Sequence, residues 1–180
     1  AAAAYQLAVA ACPEQGTFWH GLGLARFKGG LFRSAIDALT HAAELMPENP
    51  EIQNNLGNLQ REVGNGNDAA ECYRRAIKLK PDFGEAFSNL GVVLLELGNA
   101  VEAKKALESA AAINPQDPMI LTNLGCCFAA LGFVTEAVLR HHKALKIDPQ
   151  NTAALNNLAI ALKDQGKIWE AHKVYDTLLA

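Results

Sequence analysis

Residues 84–117 read GEAFSNLGVVLLELGNAVEAKKALESAAAINPQD, and residues 118–151 follow as PMILTNLGCCFAALGFVTEAVLRHHKALKIDPQN. Laid one above the other, they match at their special residues. Leu90-Gly91 falls on Leu124-Gly125, Leu97-Gly98 on Leu131-Gly132, Ala103 on Ala137, Ala110 on Ala144 and Pro115 on Pro149. The register extends outward with a period of 34 residues. Pro13, Pro47, Pro81, Pro115 and Pro149 keep it, as do Gly30, Gly64, Gly98, Gly132 and Gly166. Ala35, Ala69, Ala103, Ala137 and Ala171 form a third column, and Gly23, Gly57, Gly91, Gly125 and Ala159 a fourth, each of the last preceded by leucine. A repeat of this length is the mark of a stacked array rather than a single globule.

Each column has a mechanical role. Glycine just past an apolar periodic segment ends a helix, because it enters the left-handed region without a Cβ penalty. Proline after Ile113-Asn114 or Ile147-Asp148 stops the next helix from continuing. The unit is therefore helix, tight turn, helix, proline-marked loop. Gly91, Ala103 and Ala110 let the two helices approach closely, and Leu90, Leu94, Leu97 and Leu107 are expected to form the apolar stripe between them. One such pair cannot bury its apolar face alone, so neighbours must stack.

Composition agrees and excludes several classes. Half of the 180 residues are apolar and 19% are charged, too apolar for a disordered acidic chain. Sixteen basic against nineteen acidic residues leave a net charge of −3, without the basic footprint of a nucleic-acid partner. No run reaches the ~18 apolar residues of a membrane span. Cys12, Cys72, Cys126 and Cys127 are too few and too scattered for a disulfide scaffold. Free thiols acting as small core hydrophobes lean towards a reducing, cytoplasmic compartment.

The columns resemble the tetratricopeptide repeat family across essentially the whole chain. The third unit supplies Phe87, Leu90, Gly91, Leu94, Gly98, Ala103, Leu107, Ala110 and Pro115 of the family pattern; the fourth supplies Leu121, Leu124, Gly125, Phe128, Gly132, Ala137, His141, Ala144 and Pro149. Departures are local. Arg26, Gln53 and Gln60 replace large apolar residues, and His141 takes the aromatic place held by Tyr73 and Tyr175. The resemblance implies an all-α, right-handed superhelical solenoid of antiparallel helix pairs. Whole units are expected at 16–49, 50–83, 84–117 and 118–151, with an incomplete fifth at 152–180 and the second helix of an earlier unit at 1–15. Neither end reads as a polar capping helix, and Leu178 and Leu179 sit at the last edge. A piece of a longer array is the expectation, with self-association through open ends as the alternative.

In this family the first helices line a concave groove that holds peptides, so the resemblance implies a protein or extended peptide as partner. Asn55, Asn89, Asn123 and Asn157 recur there at the repeat period, joined by Asn54, Asn58 and Asn156. Asparagine is a mediocre helix former, so its recurrence on one face asks for a reason. Its amide matches the N–H and C=O of an extended main chain. The column resembles the asparagine ladder of the superhelical domain of O-linked N-acetylglucosamine transferase. It equally suits a tie between neighbouring helices, and both readings stand at this point. Leu24, Val92, Leu95 and Ile160 are the expected contacts for apolar peptide side chains.

Other chemistries fare worse. The carboxylate clamp of chaperone-binding members needs lysine and arginine where this chain has Glu51, Glu85, Met119, Asn89 and Asn123. Cys126-Cys127 and His141-His142 are adjacent pairs, whose side chains diverge on a helix, unlike the i, i+4 spacing of a helical metal site. No nucleophile has a motif-defined base, and no phosphate loop follows Gly29-Gly30. The expectation is a non-enzymatic interaction scaffold without cofactor or metal. The alternative is the substrate-targeting arm of a larger enzyme such as a protein O-glycosyltransferase. Trp169 and Leu139 stand apart as apolar residues at positions usually polar, suited to anchoring a partner or covering a following unit.

Overall fold

The structure, a computed structural model, describes residues 1–179, with side chains through Thr177. The side chains of Leu178 and Leu179, expected at the array's last edge, and all of Ala180 lie outside the described residues. Among those described, helices are the only regular element. They are α1 (Ala2–Ala11), α2 (Gly16–Lys28), α3 (Phe32–Leu45), α4 (Pro50–Glu62), α5 (Gly66–Leu79), α6 (Gly84–Glu96), α7 (Ala100–Ile113), α8 (Pro118–Ala130), α9 (Val134–Ile147), α10 (Thr152–Asp164) and α11 (Ile168–Leu179). The chain divides into two compact units, residues 1–89 and residues 90 onward.

Helix boundaries follow from local chemistry. Pro50 and Pro118 open α4 and α8 at positions where the missing N–H costs nothing. Asn49 and Asp117, just before them, accept hydrogen bonds from the next free amides, Glu51 and Ile52 in one case, Met119 and Ile120 in the other. At the turns within pairs, Gly30, Gly64, Gly98, Gly132 and Gly166 all take positive φ, between 74° and 85°. The residue after each turn glycine donates its amide back to the preceding helix, as Asn65 does to Gln60 and Asn99 to Leu94.

In the first unit α2 packs on α3 and α4 on α5, while α1 rests on α2 and α3 on α4. The core joins Ala35, Leu39, Ala42, Ile52, Leu56 and Leu59, with Val9, Leu22 and Ala38 beside it. In the second unit α8 packs on α9 and α10 on α11, with α7 against α8 and α9 against α10. Leu121, Ala144 and Ala154 form one apolar cluster there, and Leu158, Leu162 and Ala171 another.

Within each pair, the first-helix glycine is what allows contact. Leu39 lies over Gly23, Tyr73 over Gly57, Leu107 over Gly91 and His141 over Gly125. A Cβ on Gly57 would stand 2.5 Å from Tyr73 Cε1 and 2.7 Å from Cδ1, inside any tolerable contact. Tyr73 is wholly buried and has no room to retreat. Gly57→Ala is therefore expected to destabilise the first unit by about 1–3 kcal/mol through overpacking, read as a lower urea midpoint.

The expected apolar stripe needs one correction. Leu97 lies beyond the end of α6 and is 44% exposed, because the chain is already turning towards Gly98. Val93, one helical turn earlier, is the buried residue. The polar departures are accommodated individually. Arg26 donates to the Ser34 carbonyl at 3.0 Å and to Gln6 Oε1 at 2.6 Å. Gln60 accepts from Asn65 Nδ2 at 2.9 Å, whereas Gln53 Oε1 is buried without a hydrogen bond among the described residues.

Candidate functional site

The first helices of successive pairs carry the asparagine column, and helical spacing places Asn54 and Asn58 one turn apart on α4. In the first unit these amides form a connected network. Asn89 on α6 donates from Nδ2 to Asn54 Oδ1 and to Asn58 Oδ1, both at 3.1 Å. Asn58 Oδ1 also accepts from the Tyr73 hydroxyl at 2.9 Å. Asn54 Nδ2 donates to Glu85 Oε1 at 2.8 Å, and Asn54 is only 3% exposed. The network ties α4 to α5 through Tyr73 and to α6 through Glu85 and Asn89. Both ends of the Asn54 amide are spent inside the protein.

One pair earlier, Asn55 Nδ2 lies 2.9 Å from His20 Nε2 on α2. The amide N–H can only donate, so Nε2 accepts and the imidazole proton sits on Nδ1. Burial pushes the His20 pKa below its ordinary value, partly opposed by the Glu51 carboxylate. In the second unit, Asn157 Nδ2 donates to Cys126 Sγ at 3.1 Å, joining α10 to α8. Asn55, Asn89 and Asn157 thus share one habit: each sends its N–H to the preceding first helix.

Asn123 differs. It is partly buried on α8 and makes no hydrogen bond among the described residues. Asn156 is exposed. Leu24, Val92 and Leu95 are partly buried, and Ile160 is exposed on α10. The glutamates Glu51 and Glu85 are exposed at the starts of α4 and α6.

The cysteine–histidine group resolves into packing. Cys127 is buried with its thiol donating to the Ala100 carbonyl at 3.2 Å, while His141 fills the space over Gly125. Burial raises the thiol pKa of Cys72, Cys126 and Cys127, which keeps them protonated and poorly nucleophilic. Trp169 is 85% exposed near the start of α11, and Leu139 is exposed on α9.

Asn89 deleted to alanine removes two hydrogen bonds and leaves Asn54 Oδ1 buried without a donor. Asn89→Ala is expected to cost about 1–3 kcal/mol of stability in a urea titration. Asn123→Ala, with no bond to lose, is expected to leave the midpoint unchanged.

With this geometry in place, comparison with known proteins is decisive. The family described as "Cilia and flagella-associated protein 70 C-terminal domain" matches residues 1–147, and the tetratricopeptide repeat family matches residues 143–173. The chain belongs to this tetratricopeptide-repeat family. No curated protein sequence matches it. Among solved structures, this tetratricopeptide chain is similar to the crystal structure of MamA. That pair is 26% identical with a TM-score of 0.82, over 93% of this chain and 91% of that one. It is also similar to YrrB, described as a TPR protein with an unusual peptide-binding site, at 21% identity and a TM-score of 0.80, over 99% and 92% of the chains. PilF of Pseudomonas aeruginosa gives 21% and 0.82, over 91% and 75%. These likenesses establish the all-α solenoid of antiparallel helix pairs. No helix among the described residues is long and apolar enough to cross a membrane.

Proposed function

We propose that this tetratricopeptide array is an interaction scaffold whose first-helix faces hold an extended peptide segment of a partner protein. The observation that carries the reading is the shared bonding of the asparagine column. In Asn55, Asn89 and Asn157 the Nδ2 group is anchored to the preceding helix, while Oδ1 accepts no hydrogen bond among the described residues. An amide fixed by its own N–H presents its oxygen in one direction, ready to accept from a peptide N–H at little entropic cost. The structural tie and the ligand ladder are then two ends of one side chain. Asn54 and Asn58 act within the network, as its support. Asn123 offers donors and acceptor together, and Leu24, Val92, Leu95, Asn156 and Ile160 complete the two units' faces. Main-chain recognition of this kind tolerates varied side chains.

YrrB, a relative by fold, is described as binding peptide, which agrees with the reading. A partner within a cilium- or flagellum-associated assembly would agree with the family's description. The inert thiols suit a reducing, cytoplasmic setting.

Asn123→Ala tests the ladder free of stability effects. A nonamer peptide selected from a displayed library on the wild-type chain serves as the labelled probe. Loss of one hydrogen bond, about 0.5–1.5 kcal/mol, should weaken its binding by roughly two- to tenfold at an unchanged melting temperature. Binding equal to wild type in Asn123→Ala would remove the ladder role.

A further inference from the structure

The second unit has a cavity of about 720 Å³ away from the asparagine column. The end of α7, the loop after it, the start of α8 and the last half of α9 enclose it. Pro115, Leu121 and Ile147 supply apolar wall, and Arg140, Lys143 and Lys146 supply charge. No carboxylate is among its lining residues. For a chain with net charge −3, three cations without a counter-ion in one pocket is a departure that asks for an explanation.

Helical spacing sharpens it. Positions 140, 143 and 146 follow one another at i, i+3 on α9, where like charges repel. Two helical cations elsewhere do find an i, i+4 carboxylate: Arg75 reaches Glu71 at 3.5 Å and Lys104 reaches Glu108 at 3.6 Å. Glu136 stands one turn before Arg140, in the favourable order for an ion pair, yet none forms with it among the described residues. Arg140 is held instead by an aromatic ring, its Cζ 5.5 Å from the centre of Phe128. That cation–π contact restrains the side chain without neutralising its charge. Its Nε is buried and makes no hydrogen bond among the described residues. With Nε closed off, the terminal N–H groups of the guanidinium are the donors left to meet an oxyanion entering the cavity.

We propose that this pocket binds an anionic side chain of a partner peptide, its carboxylate or phosphate oxygens on Arg140 between Lys143 and Lys146, with a neighbouring apolar residue against Leu121 and Ile147. The planar guanidinium suits either oxyanion, and the lysines add attraction without demanding geometry. At about 720 Å³ the cavity lies within the roughly 300–1,000 Å³ range of ligand pockets and has room for a short acidic stretch of peptide with its apolar neighbour. This site lies on second helices and loop, so it stands independently of the first-helix reading.

The test uses fluorescein-labelled undecapeptides of one leucine- and alanine-rich sequence carrying two adjacent glutamates, two phosphoserines or two glutamines. Fluorescence anisotropy at about 50 mM salt reads the affinity, where screening is weak. The glutamate or phosphoserine peptide is expected to bind about tenfold or more tightly than the glutamine peptide, whichever of the two acidic forms leads naming the source of the oxyanion. The exposed pair Lys143→Glu with Lys146→Glu removes that preference without altering the melting temperature. Arg140→Gln gives the same loss where it folds. Equal binding of the three peptides, no binding of any, or an undiminished acidic preference in the Lys143→Glu, Lys146→Glu variant would overturn the proposal.

Discussion

Tyr73→Ala is expected to lower the stability of residues 1–89 by about 3–5 kcal/mol, the range for losing a large aromatic from a core. Three effects combine at this residue. Its side chain is fully buried, so truncation leaves a cavity that the flanking helices cannot close. Its ring covers Gly57, whose lack of a Cβ exists to receive it, so the small residue on α4 would face a void. Its hydroxyl donates to Asn58 Oδ1, and removing it takes one of two donors from that oxygen. Tyr73→Phe isolates the last effect and should cost about 0.5–1.5 kcal/mol. The melting temperature of Tyr73→Ala should fall by on the order of 10 °C for a chain of this length. Since the whole stability of a domain is about 5–15 kcal/mol, a melt within 2 °C of wild type would contradict this packing.

The second large effect depends on pH. His141 is 1% exposed in the same column as Tyr73, Leu39 and Leu107, its ring over Gly125. Burial, with a smaller contribution from neighbouring His142, pulls its pKa from 6.5 down to about 4. Its Nδ1 is buried without a hydrogen bond among the described residues, so a proton added there would find no acceptor. Between pH 6.5 and 4 the unfolded chain therefore binds more protons at this site than the folded one. Stability from the neutral ring is full above pH 6.5, falls as the pH drops towards 4, and is flat below that. From pH 7 to pH 5 the loss amounts to about 2 kcal/mol. His20 adds a loss of the same sign, since its pKa is lowered too.

Leucine occupies the equivalent place over Gly23 and Gly91, so His141→Leu fits the column. Urea midpoints at pH 7 and pH 5 should show wild type losing about 2 kcal/mol more than His141→Leu. Parallel losses in the two proteins would contradict a neutral, buried His141.

Much of the fold was legible because repetition averages out local ambiguity. A single Leu-Gly or a single turn glycine says little, but five turn glycines in register require a left-handed residue at each, and each has one. Leu97 was misread for a complementary reason. Periodicity continues on paper past the point where Gly98 ends the helix, so the last apolar residue of the pattern falls outside the core.

The candidate site was legible as a column and not as a network. Repetition at one offset marks Asn55, Asn89, Asn123 and Asn157, yet it cannot tell which amide atoms are already engaged. Asn54 looks like a neighbour of the ladder in the sequence, but one residue of rotation on α4 buries it, where it bridges to Glu85. The basic pocket left no trace at all. Nothing in the repeat columns marks Arg140, Lys143 and Lys146, and only the stacking of α7, α8 and α9 sets them around one cavity. No chain-local pattern encodes that meeting.

The most direct measurement is a titration of the isotope-labelled chain with the selected nonamer, followed through the side-chain NH2 resonances of its asparagines. The account expects the Asn55, Asn89, Asn123 and Asn157 signals to shift in proportion to bound peptide, Asn123 most, while Asn54, closed inside its network, moves little. Saturating peptide with those four signals unmoved, and shifts gathered on the second helices instead, would contradict it.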